Sequence, residues 1–185
     1  MAYRNGTYVA FHAAGTNQPG KSDIDYYNLM KAWTAKTDND FTMINSHDKA
    51  SSVRDSSLRA TLRSSLLERL RNSRNMVLVI GETTRLDTDW VPFEIENAVD
   101  TYGLPIIAAY TVWDKPIRKP ATLSGYWPNA LDVRIKNGTA NVIHIPFKKE
   151  ALKDAISQFS HDNPPPGKGL GFYNDEAYRI FGIEG

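Results

Sequence analysis

The chain alternates short apolar runs with longer stretches in which apolar residues recur every third or fourth position. Short runs rich in Val and Ile, bounded by Gly and polar clusters, have the pattern of buried strands; the longer period is that of a helix packed along one face. Runs of the first kind lie at residues 7–12 (TYVAFH), 41–44 (FTMI), 76–80 (MVLVI), 106–112 (IIAAYTV) and 141–147 (NVIHIPF). Helical spacing occurs after Asp23, with Tyr26, Met30 and Trp33 on one face and Asp23 as the expected cap. A second helix is expected from Ser56-Ser57, with Leu58, Leu62, Leu66 and Leu70 at every fourth position. Its other face carries Arg59, Arg63, Glu68, Arg69 and Arg71 and reads as a solvated surface. A third spans 149–159, with Leu152, Ile156 and Phe159 inward.

The most informative stretch is 75–112. Asp89 is placed to cap a helix that begins at Trp90, with Pro92 in the first turn, where its missing N–H costs no intrahelical bond. Val91, Ile95, Val99 and Tyr102 follow at helical spacing, and Gly103-Leu104-Pro105 ends the element. A strand–helix–strand unit of this kind implies parallel pairing with a right-handed crossover. Trp90 and Glu94 are one turn apart and project to one side, whereas Glu96 lies about 200° around the helix from Glu94.

About five strands alternating with helices predict an α/β, doubly wound sheet with helices on both faces. In a flavodoxin-like order, the first and third strands flank the point where the winding reverses, and ligands bind beyond their carboxyl ends. Three segments would then line the crevice: Phe11-His12-Ala13-Ala14-Gly15, Asn45-Ser46-His47-Asp48 and Gly81-Glu82-Thr83-Thr84. Residues 1–162 are expected to form the domain. The segment 113–140, with three prolines and no clear period, reads as a long irregular connection. Residues 163–185 open on Asn163-Pro164-Pro165-Pro166-Gly167 and are rich in aromatics; this tail is expected to pack on the domain or on a partner.

Composition narrows the chemistry. The formal net charge is +1, which gives no electrostatic pointer to nucleic acid or an anionic membrane surface. There is no cysteine, so disulfides, thiolate catalysis and cysteine-ligated zinc are all excluded, and the composition fits a cytoplasmic protein. No apolar run approaches membrane-spanning length, and the first residues, MAYRNGTYVAFH, lack the long apolar core of a signal peptide. Asn5-Gly6-Thr7 and Asn137-Gly138-Thr139 match a glycosylation sequon, but both are expected to be turns.

No GxSxG or HExxH is present, and the four histidines lack ligand-like spacing, so no metal site is expected. A phosphoacceptor site of the receiver type would need acidic residues after the first strand and an Asp ending the third; His12-Ala13 and Gly81-Glu82 stand there instead. What remains is Glu94 beside an aromatic. A partly desolvated carboxylate can bind a ribose diol and stabilise the positive charge that develops as an N-glycosidic bond breaks; an adjacent ring can stack on a base. From spacing alone a plainer reading stands beside it, with Trp90 in the core and Glu94 on a solvated face.

The stretches TYVAFHAAG, RNSRNMVLVIGETTRLDTDWVPFEIENAV and LPIIAAYT together resemble a TIR-like domain, most closely the small TIR-like proteins of Thoeris anti-phage systems. The resemblance covers about residues 7–112 well and 141–159 loosely. It implies a flavodoxin-like sheet, with NAD+ as substrate rather than as a resident cofactor. It also implies a cyclic ADP-ribose-type messenger that activates a downstream effector, and homo-oligomeric assembly. Carried onto this chain, it makes Glu94 the residue that helps cleave the nicotinamide–ribose bond. Phe11, His12, Ala13, Asn45, Ser46, Thr83 and Trp90 would border the nucleotide. The loop NSHDKASS departs from the family pattern, which leaves His47 and Asp48 weakly placed. Two other readings share part of these features: a TIR-like interaction or nucleotide-sensing module without catalysis, and a deoxyribosyltransferase-like enzyme on a related fold.

Overall fold

In the computed structural model, residues 4–13, 23–35, 43–44 and 56–185 are described. They contain six strands: β1 (Gly6–Ala10), β2 (Met43–Ile44), β3 (Ser73–Ile80), β4 (Ile106–Tyr110), β5 (Val142–Pro146) and β6 (Gly171–Phe172). All pair in parallel, in one sheet of order β2-β1-β3-β4-β5-β6. The first five follow the flavodoxin-like order that the TIR-like resemblance implies, with β1 and β3 adjacent in the middle. The sixth comes from the segment after Pro166 and lies along the far edge of β5.

Six α-helices cover the sheet: α1 (Ile24–Thr34), α2 (Ser56–Arg71), α3 (Trp90–Glu96), α4 (Asn129–Lys136), α5 (Lys149–Gln158) and α6 (Asp175–Ile180). Because side chains alternate across each strand, two cores form. Tyr8 and Ala10, with Met76, Leu78 and Ile80, face Leu66 and Leu70 of α2, Val91 and Ile95 of α3 and Leu131 of α4. Val9 and Phe11, with Val77 and Val79, face Ile24, Tyr27 and Met30 of α1, Leu152 and Ile156 of α5 and Tyr178 of α6. Residues 76–80 are wholly inaccessible to solvent. Each such large aliphatic side chain contributes about 1.5–3 kcal/mol relative to exposure, which is why this central strand reads as an unbroken apolar run.

Several elements depart from the pattern. In α1 the fully buried residues are Ile24, Tyr27 and Met30; Tyr26 and Trp33 sit on the flank, against Phe147. In α2 only the C-terminal part of the leucine stripe is covered: Leu66 and Leu70 are buried and Leu62 is partly so, but Leu58 is exposed. β3 begins three residues earlier than its apolar run, at Ser73, because the polar Asn75 has partners in the core. Its Nδ2 donates to the carbonyls of Ile156 and Phe159, and its Oδ1 accepts from Thr7 Oγ1 at 2.7 Å. The connection after β4 is not irregular throughout, since it holds a 3₁₀ segment (Pro120–Tyr126) and then α4. Asn137-Gly138-Thr139 is a turn, with Gly138 at φ +74° and Asn137 Oδ1 accepting from Thr139 N, whereas Gly6 and Thr7 already belong to β1. No helix among the described residues is long and apolar enough to cross a membrane.

Candidate functional site

The candidate site is assembled by the carboxyl ends of β1 and β3 and by the helix that follows β3. Asp89 occupies the residue before α3, but its side chain does not cap the helix. Asp87 does so instead: its Oδ1 accepts from Asp89 N at 2.9 Å and Trp90 N at 3.1 Å, satisfying donors that the helix start leaves open. This releases the Asp89 carboxylate to pair with Arg59 of α2. The Arg59 guanidinium also lies 4.9 Å from the Trp90 ring centre, and Arg63 lies 5.1 Å from that of Phe93. Arg59 and Arg63, on the basic face of α2, thus lie against rings of α3 while remaining accessible to solvent. Trp90 itself is partly buried, edge-on to Phe93, and its cation contact is made within the chain.

One turn on, Glu94 is completely buried. Tyr8 of β1, equally buried, donates its phenol to Glu94 Oε1 at 2.5 Å. Burial, the nearby carboxylate charge and this hydrogen bond hold the Tyr8 pKa well above the ordinary phenol value, so Tyr8 is a permanent donor here. The plainer reading, Glu94 on a solvated face, is thus excluded: the carboxyl group is inside the domain, bonded to the Tyr8 hydroxyl. Glu96 is exposed, on the opposite side of α3.

At the ends of the strands a second set of groups meets. His12 Nδ1 lies 3.1 Å from Thr83 Oγ1, joining the loop after β1 to the loop after β3. Below them Asp23, 8% exposed, takes a hydrogen bond from Thr84 Oγ1 at 3.0 Å, and Thr84 Oγ1 in turn accepts from Gly81 N at 2.8 Å. Asp23 N donates to the carbonyl of His12 at 3.2 Å. Asp23 is not the side-chain cap of α1; its carboxylate is engaged across the sheet end. Burial raises its pKa, and the Thr84 hydroxyl and His12 work in the other direction. Tyr8 and His12 are four positions apart on β1 and its extension, roughly 13 Å at strand rise.

Of the residues singled out from sequence, the fold brings His12 and Thr83 into direct contact and sets Glu94 against β1. Phe11 is fully buried and stacks on Tyr27 with ring centres 5.1 Å apart; Ala13 is buried beside it. Asn45 and Ser46, with Ala14, Gly15, His47 and Asp48, lie outside the described residues. Thr84 was read only as part of the crevice-lining segment 81–84, and Tyr8 and Asp23 were not read as site residues. Tyr8 lies in the expected strand TYVAFH, but nothing in the sequence pairs it with a residue on α3. A separate cavity of about 720 Å³ lies between Arg85, Trp127, Asn129, Lys136 and Leu170, and none of the candidate site residues lines it.

The family model described as Thoeris protein ThsB, TIR-like domain, matches residues 8–115. The match begins at Tyr8 and takes in His12, Asp23, Thr83, Thr84, Trp90 and Glu94.

Proposed function

Since the chain belongs to the Thoeris ThsB family of TIR-like domains, we propose that it is a signalling enzyme of anti-phage defence that cleaves NAD+ at the nicotinamide–ribose bond. The observation that carries this reading is Glu94: a carboxylate wholly removed from water, on the helix after β3, with its position set by the Tyr8 hydroxyl. In a site of low dielectric such a charge interacts far more strongly with a developing cation than it would in water.

The step balances without a co-reactant beyond water. The bond between ribose C1′ and the pyridinium nitrogen breaks, its electron pair stays on nitrogen, and neutral nicotinamide leaves. The positive charge that grows on C1′ and the ring oxygen is stabilised by the Glu94 carboxylate. Capture of C1′ by water gives ADP-ribose and a proton; capture by a nucleophile elsewhere in the same nucleotide gives a cyclic product. His12 and Thr83 would border the nucleotide, as would Asn45 and Ser46. Phe11, Ala13 and Trp90 would shape the walls behind them. The downstream partner would be an effector protein that binds the product, with self-association of this chain and a cytoplasmic setting.

The full enclosure of Glu94 also favours a second reading, a TIR-like interaction module in which the Tyr8–Glu94 pair is purely structural. Nicotinamide release from NAD+ separates the two. We expect release by the native chain, at least a hundredfold loss in Glu94→Gln with folding intact, and near-native rates in Glu96→Gln. Equal rates in the native chain and Glu94→Gln would remove Glu94 from the chemistry. No release under any assembly state would leave the interaction reading.

A further inference from the structure

We propose that Asp23 is a positioning residue, a clamp that holds the carboxyl ends of β1 and β3 at the spacing the nucleotide requires. This rests on the NAD+ reading above. The two strand ends carry the polar groups assigned to the nucleotide, His12 on one and Thr83 on the other, and Asp23 is bonded to both ends. Its backbone N–H donates to the His12 carbonyl at 3.2 Å, and its carboxylate accepts from the Thr84 hydroxyl at 3.0 Å. Thr84 is next to Thr83, and its Oγ1 simultaneously caps the Gly81 N–H at 2.8 Å, so the whole turn after β3 is referred to Asp23.

The fit depends on a missing side chain. A Cβ built on Gly81 would stand 2.5 Å from Asp23 Oδ1, closer than any real contact, so glycine at this position makes room for the carboxylate. Asp23 is 8% exposed, which makes an unbonded carboxylate costly there and the bonded geometry correspondingly stiff. The hydrogen bond between His12 Nδ1 and Thr83 Oγ1 is weak in isolation, a 3.1 Å contact in an exposed setting. Asp23 supplies the buried tie beneath it. Glu94, by contrast, sits on α3 and takes the Tyr8 hydroxyl. Loss of the clamp should therefore weaken substrate binding and leave the bond-breaking step largely intact.

The test compares Asp23→Ala with Asp23→Asn, whose amide oxygen still accepts from Thr84. Three quantities are measured: KM for NAD+, kcat for nicotinamide release, and amide hydrogen exchange at Gly81. We expect Asp23→Ala to raise KM about tenfold with kcat within about twofold, and to speed Gly81 exchange about tenfold. Asp23→Asn should restore both to within about threefold. An unchanged KM in Asp23→Ala, a loss confined to kcat, or no rescue by Asp23→Asn would overturn the positioning role while leaving NAD+ cleavage standing. If the native chain releases no nicotinamide, the cleavage reading fails, and with it the role toward that substrate. The exchange arm then decides the clamp alone: native-like protection of Gly81 in Asp23→Ala would overturn it as well.

Discussion

At the scale of single residues, the pairing of Tyr8 with Glu94 is the structural fact with the largest consequence. Both partners are wholly buried, so removing the phenol hydroxyl takes a donor from a carboxylate that water cannot reach. Tyr8→Phe keeps the ring and its packing. It should destabilise the fold by about 1–3 kcal/mol, the range for leaving a buried polar group short of a partner. Urea unfolding with an unchanged slope would measure it; a midpoint equal to the native one would mean that the carboxylate finds an equivalent donor. Helical spacing put Glu94 on the same side as Trp90 in advance, and the TIR-like resemblance singled it out. Tyr8 was not singled out, because a strand residue and a helix residue 86 positions apart share no local pattern. The same holds for Asp23, where local reading assigns a helix cap. The bond to Thr84 crosses 61 positions.

At the scale of elements, α3 shows how local rules can be right in kind and shifted in place. A carboxylate does cap it, but the loop geometry presents Asp87. Beyond Glu96 the helix widens into a π turn over Asn97–Thr101, and Gly103 closes it at φ +63°. Gly103 N bonds to the carbonyl of Val99 at 3.2 Å and Leu104 N to that of Ala98 at 2.8 Å, so the terminal carbonyls are satisfied by a left-handed residue. No atom lies within 4 Å of a Cβ built on Gly103, so Gly103→Ala probes backbone conformation alone. We expect a loss of about 1 kcal/mol in thermal or urea unfolding. Gly125, in equally open space with no positive φ, is the control and should change stability by less than about 0.5 kcal/mol as Gly125→Ala. Equal effects at the two positions would contradict this account. The helix α4 escaped sequence reading for a different reason. It has only eight residues in a proline-rich stretch, and just Ala130 and Leu131 are buried, too few to mark a period.

For the whole molecule, the segment beyond Pro166 is tied to the sheet through His144. That ring is inaccessible and bonded on both nitrogens, Nε2 to the Gly169 carbonyl at 2.8 Å and Nδ1 to Tyr110 Oη at 2.8 Å. Since a carbonyl only accepts, Nε2 carries the proton, Nδ1 accepts from Tyr110, and Tyr110 accepts in turn from Trp127 Nε1 at 2.7 Å. One chain of donors thus links β4, β5, the connection after β4 and the C-terminal segment. Burial lowers the His144 pKa to about 4, against the bond to Gly169. An unfolded histidine takes up its proton near 6.5. Between these values the unfolded state binds more protons, so stability falls as pH drops from about 6.5 and levels off below about 4. The loss from this group is roughly 3 kcal/mol at ~1.4 kcal/mol per pH unit. Asp23 works in the opposite direction, because a carboxyl with a raised folded pKa gains stability on acidification. Urea midpoints from pH 7 to 4, with nitrogen NMR of the histidine rings, provide the check. A His144 midpoint above 6, or a Nδ1–H tautomer at neutral pH, would refute this network.

Periodicity alone determined the class of fold, the five principal strands, and the placement of Glu94 one turn after Trp90, because each follows from contacts between near neighbours in the chain. Apolar residues must face away from water, and their spacing records the geometry that achieves it. Tertiary structure alone decided which polar groups meet: Tyr8 with Glu94, Asp23 with Thr84, Arg59 with Trp90 and Asp89, and His144 with Gly169. A hydrogen bond depends on the separation of two atoms in space, and the strand order that brings distant segments together leaves no periodic trace in either of them.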